Sequence, residues 1–422
     1  LQETLRYEYG ADGSRQFFEE CETRLEFIRQ EIANTPNDEH GLLETQAGLL
    51  NGLSDLIARI ERSSIGEYSW PFVDELKKIA EAICTENTLT REKAPPTVHV
   101  LSDGGLDKYA INPEQKRPSG GTRRILTIVF PRSLKHFVLL HPILGHELGH
   151  AIWRGSEHES LLKRIIAEKL LNLNDRFKDA DAAAAWMYSA DAPPNIQAVL
   201  SVYKTKFGVE QSNFFPAAAR WAAWVEEMSC DIIGLLIFGP SFVAALCQLL
   251  YALVPSGTLF GQDHPPVGCR INMMLTASRL LGYDKFKVAD KALQAELDRF
   301  WSEVAAQRQA NVWFDIFTDH ELASTFAEID LILQNHPPAQ YPTPDPVQFE
   351  KLLWQISSAI PPVDVEMADN GVPIFSELDF RHILYAGWVI SKGVTGMSFL
   401  DINRLCEHGI MQLGAINIYR NG

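Results

Sequence analysis

The sequence predicts an α+β fold that is mostly α, and three observations carry that expectation. Apolar residues recur at helical spacing over long stretches at both ends of the chain. Short runs rich in Val, Ile and Thr, flanked by Gly and Pro, are confined to the region between about residues 95 and 130. The chain has 422 residues, of which 46% are apolar and 22% charged, enough for two or three modules around a large buried core. The expected organisation is a helical N-terminal region over 1–90, a core with a small β-sheet over 91–283, and a helical C-terminal region over 284–422.

Residues 14 to 86 read as helices. Phe17, Phe18, Leu25, Ile28 and Ile32 repeat at helical spacing, and Leu42, Leu43, Leu49, Leu50, Leu53, Leu56 and Ile57 do so again. Pro36, within Asn34 to Asn37, supplies the break between them. This acidic module is expected to support the core by packing. Thr97 to Leu101 and Arg124 to Phe130 then read as strands, the second ending at Pro131, and a helix begins within about a dozen residues. A β-edge at that point would suit pairing with an extended peptide.

A helix is expected around 158 to 172, then an Ala-rich segment near 180 to 191. Residues 232 to 254 carry no charged side chain and match a membrane span in length. Gly239-Pro240 interrupts them, however, so two buried helices over roughly 220 to 238 and 241 to 254 are the reading adopted. Helical patterns continue to the C-terminus, broken by the Pro-rich stretch from His336 to Pro346 and a loop from Pro361 to Pro373.

Composition limits the partners. A balance of 38 Lys plus Arg against 54 Asp plus Glu gives a net charge of −16, a poor match to nucleic acid. The cluster of Lys116, Arg117, Arg123 and Arg124 reads as a solvated turn. Six scattered cysteines with no C-x-x-C pair read as reduced thiols of a cytoplasmic protein. No secretory leader opens the chain, and its start at Leu1 is compatible with a trimmed upstream segment.

The chemistry centres on His146-Glu147-Leu148-Gly149-His150. Two histidines four residues apart on a helix project from one face, so both imidazoles can reach one tetrahedral zinc ion. Glu147 stands beside them, where a carboxylate can take a proton from zinc-bound water. Gly145 and Gly149 each cost the helix about 1 kcal/mol relative to Ala, so close approach of substrate or of a neighbouring helix is expected there. Trp153 and Ser156 stand where a metzincin would need Gly and His, and His158 reads as a solvated loop residue.

The expected third ligand is Glu227, which shares a helix face with Asp231 amid Trp221, Trp224, Val225, Ile232 and Ile233. Carboxylates in such apolar surroundings need a cation or donors. Asp231 can accept the outer N–H of a ligating histidine, while Glu226, about 100° around the helix, would pair with Cys230.

With H-E-x-x-H followed by E-x-x-x-D, the chain resembles the gluzincin metallopeptidases. Asp263-His264-Pro265-Pro266-Val267-Gly268-Cys269-Arg270-Ile271 adds H-P-P-x-x-x-R-I, similar to the motif after the glutamate helix in the family of HtpX and the CAAX prenyl endopeptidase. The resemblance covers about 97 to 282. It implies a zincin-like core, peptide-bond hydrolysis with Zn2+, His264 on the oxyanion, and Arg270 positioning the oxyanion or the site carboxylates. The chain departs from that family in lacking clear transmembrane helices and in the length between His150 and Glu227. A second His-Pro-Pro at His336 lacks the Arg-Ile and reads as a loop. The expected partner is a peptide or protein substrate, with a regulatory protein acting through the helical flanks; the competing expectation is a catalytically silent zinc-binding or helical interaction protein.

Overall fold

A computed structural model of the chain describes residues 13–36, 38–61, 70–84, 96–103, 109–113, 123–153, 163–171, 215–253, 264–265, 267–283, 340–363, 365–367, 373–375, 378–393 and 396–421. The Ala-rich segment, Lys116, Arg117, His158 and His336 lie outside them.

The N-terminal region forms α1 (Gly13–Asn34), α2 (His40–Glu61) and α3 (Trp70–Cys84). The break after Asn34 is a turn in which Glu39 N–H bonds the Pro36 carbonyl at 3.0 Å. Strands β1 (Thr97–Asp103), β2 (Ala110–Pro113) and β3 (Ile125–Pro131) make one sheet of order β1-β3-β2. β1 runs parallel to β3 and β2 antiparallel to it. The run expected to offer a β-edge is therefore the central strand. The edges are β1, covered by the N-terminal helices, and β2, which packs against the next helix, α4 (Leu144–Trp153).

Alternation along β3 explains why both sheet faces are buried. Ile125 and Val129 join Phe17, Phe18, Cys21 and Leu53 of α1 and α2. Leu126 and Ile128, with Val98 and Val100 of β1, enter the main core on the other face. Packing of α1 and α2 on the sheet agrees with the support role expected of them.

Two 3₁₀ segments, Arg132–Leu134 and Val138–Ile143, lead into α4. A helix α5 over 163–171 follows, then α6 (Phe215–Phe238), α7 (Pro240–Leu253) and α8 (Val267–Leu280). The apolar stretch divides at Gly239, whose φ is +60° and whose N–H bonds the Leu235 carbonyl at 2.7 Å. A Cβ there would stand 2.5 Å from the Tyr341 ring, so only glycine fits. Among the described residues no helix is long and apolar enough to cross a membrane.

The C-terminal region contributes α9 (Pro346–Ser357), α10 (Phe380–Lys392) and α11 (Phe399–Asn421). Asp345 caps α9 through the Val347 and Gln348 N–H groups, with Pro346 at the first helical position. Where a loop was expected after Pro361, Val365–Met367 (β4) and Pro373–Phe375 (β5) pair antiparallel. Three residues are too few for alternation to register in a sequence, and Pro373 is tolerated because it opens its strand.

One buried core runs from Phe72 on α3 to Leu413 on α11. The C-terminal helices also grip the segment that leads into α4. Asn403 receives the Leu139 N–H at 3.1 Å and donates to the His136 carbonyl at 2.6 Å. Trp388 Nε1 donates to the Leu139 carbonyl at 2.8 Å, and His136 Nδ1 lies 2.8 Å from Glu407 Oε1.

Candidate metal centre

Helices α4 and α6 cross the protein side by side, and their closeness is set by small residues. A Cβ on Gly145 would stand 2.7 Å from Gly234 Cα, and one on Gly149 would stand 2.5 Å from Cys230 Cα. A neighbouring helix therefore accounts for both glycines. The two contacts, Gly145 with Gly234 and Gly149 with Cys230, fix an antiparallel register.

That register brings His146, His150 and Glu227 together in the interior, each 9% exposed or less. The two imidazole rings lie 4.9 Å apart at 89°. His146 Nε2 stands 3.4 Å from Glu227 Oε2, and His150 Nε2 stands 3.5 Å from Oε1. These separations exceed a good N–H···O hydrogen bond. They match the edge, roughly 3.3 Å, of a tetrahedron whose ligands sit about 2.0–2.1 Å from a central ion. Glu227 Oε2 is buried with no hydrogen-bond partner, an arrangement that costs free energy unless something occupies the space between. Three ligand atoms within 4.8 Å of one another make a group that could hold a metal ion.

The outer nitrogens are equally provided for. His146 Nδ1 lies 2.8 Å from Asp231 Oδ1. A carboxylate can only accept, so Nδ1 carries a hydrogen, and Nε2, facing Glu227, is the nitrogen on which a metal would take the place of a proton. Arg270 donates to both Asp231 oxygens, from Nε and Nη2, each at 2.8 Å. His150 Nδ1 lies 3.0 Å from Glu226 Oε1, with Cys230 Sγ at 3.4 Å. Glu226 therefore joins the site, where the sequence reading paired it with Cys230 alone. The signal was present in Gly149: the contact that seats it on Cys230 places that whole helix face beside His150.

Electrostatics favours positive charge between these groups. Burial opposes ionisation of Glu227, but His146, His264 and His150 outweigh it and bring its pKa down to about 2. Burial likewise opposes the Asp231 charge, and Arg270 and His146 bring that group to about 2. For His146, burial disfavours the cation, yet Asp231 and Glu227 raise its pKa to about 9. Carboxylates that hold a proton on a buried imidazole so firmly would also favour a divalent cation beside it.

The remaining sequence candidates surround this group. Glu147 is half-buried and has no hydrogen-bond or ion-pair partner among the described residues. His264, just before α8, has a side chain 54% exposed, with Nε2 at 3.5 Å from Glu227 Oε2. Arg270 is buried and donates to both Asp231 oxygens.

No family model, curated protein or solved structure matches this chain, so a functional reading rests on the site itself.

Proposed function

We propose that the chain is a zinc-dependent endopeptidase of gluzincin type, in which His146, His150 and Glu227 hold the metal. The observation that carries this reading is the buried His-His-Glu group, with carboxylates on both outer imidazole nitrogens and an unengaged glutamate next to His146. Two imidazoles and one carboxylate are a donor set that suits zinc and leaves its fourth position for water.

Zinc held there would lower the pKa of its water to about 7 and polarise the scissile carbonyl. Glu147 would serve as the general base towards the attacking water and would return a proton to the leaving amine nitrogen. His264, at the exposed rim beside Glu227, donates to the carbonyl oxygen as charge develops on it, an effect worth roughly 3 kcal/mol for such donors. Asp231 fixes His146 in the tautomer that presents Nε2, and Arg270 fixes Asp231. β2 packs against α4 and pairs only with β3 among the described residues, so its outer edge could pair with an extended substrate. The C-terminal helices, which hold the segment before α4, are the route by which a partner would regulate the site.

Glu147→Gln tests the reading. The variant is expected to retain zinc at the wild-type level and to lose peptide cleavage. Cleavage at the wild-type rate would remove Glu147 from the mechanism.

A further inference from the structure

Gluzincin-like spacing provides one outer carboxylate, Asp231 for His146. The second ligand histidine has one as well. His150 Nδ1 lies 3.0 Å from Glu226 Oε1, while its Nε2 faces Glu227 at 3.5 Å. Since a carboxylate only accepts, that contact assigns the hydrogen to Nδ1 and the lone pair to Nε2, the arrangement a metal ligand needs. Cys230 Sγ, at 3.4 Å from the same nitrogen, is a weak acceptor and a poor substitute.

We propose that Glu226 is a positioning residue for the metal, orienting His150 as Asp231 orients His146, so that metal affinity depends on it. The helix register is what permits this. Gly149 rests on Cys230, and Glu226, one turn before Cys230 on α6, reaches the far side of the His150 ring. Glu227, the next residue, points between the two imidazoles. Adjacent glutamates thus serve opposite sides of His150, one facing the metal and one facing away from it. The two outer carboxylates are not equivalent. Asp231 is fully buried and accepts from Arg270 on both oxygens, whereas the Glu226 side chain is 14% exposed. The proposal rests on the metal reading of the site and is independent of the peptidase reading.

The test is zinc affinity, measured by chelator competition, for wild type, Glu226→Gln and Glu226→Ala. Cobalt(II) absorption of each serves as a signature of ligand geometry, and thermal unfolding of chelator-treated protein serves as the fold control. Glu226→Ala is expected to weaken zinc binding by about 10–100-fold and to alter the cobalt spectrum, with unfolding unchanged. Glu226→Gln is expected to lose less, because its amide oxygen still accepts from Nδ1–H. Zinc affinity of Glu226→Ala within twofold of wild type would overturn the proposal. A wild-type chain that binds neither zinc nor cobalt would overturn the metal reading beneath it, a distinct result.

Discussion

At the scale of single residues, the group that could hold a metal was legible because it depends on spacing along one helix at a time. Histidines four apart share a face wherever the helix lies, and so do Glu227 and Asp231. What joins the two pairs, and gives Glu226 to His150, depends on how two helices meet, which no spacing within either reveals. Arg270 makes the residue-scale prediction. Arg270→Met would leave Asp231 fully buried without its cation, so unfolding free energy should fall by about 3–5 kcal/mol. Urea unfolding in excess chelator keeps metal loss out of the comparison, and a loss below about 1 kcal/mol would show that Asp231 is satisfied otherwise. His99 makes a second. It is buried against Phe17, and burial, with Lys77 nearby, lowers its pKa to about 3. A folded-state pKa below the unfolded value means that the unfolded chain binds the extra proton between about pH 6.5 and 3. His99 therefore costs stability as the pH falls through that window. Urea midpoints measured from pH 7 to 4 should decline less steeply for His99→Leu than for wild type; parallel curves would contradict this.

At the scale of elements, glycines at two kinds of position should respond in opposite directions. Gly52 on α2 has nothing within 4 Å of the place where a Cβ would stand. Gly52→Ala should stabilise by about 0.5–1 kcal/mol through helix propensity alone. Gly149→Ala gains the same propensity but drives its Cβ into Cys230 at 2.5 Å from backbone, forcing α4 from α6. A net loss of about 1–3 kcal/mol and weaker zinc binding are expected. Thermal unfolding of both variants checks the sign, and two stabilised proteins would refute the close-approach account. The sequence marked Gly145 and Gly149 as costly and left substrate or helix as the reason; the contacts with Gly234 and Cys230 decide for the helix. Strand order was beyond it, because β3 looks the same in the centre as at an edge when both faces are buried. β4 and β5 were too short for any period to show.

At the scale of the molecule, the core that carries α4 is built from distant parts of the chain. Composition and helical periodicity made the mostly α character plain, but not that Asn403 and Trp388 hold the backbone at Leu139, more than 200 residues away in sequence. Asn403 is 1% exposed and makes two bonds to that backbone. Asn403→Ala should cost about 2–3 kcal/mol and slow cleavage, linking the C-terminal helices to the site. Unchanged stability and turnover would confine those helices to a passive role. The most direct measurement for the account as a whole is elemental analysis of the purified chain. Wild type should carry one zinc per chain, and Glu227→Ala and His150→Ala should carry almost none while remaining folded by circular dichroism. Wild type without metal after zinc loading, or Glu227→Ala with a full equivalent, would contradict the assignment of His146, His150 and Glu227 as the metal site.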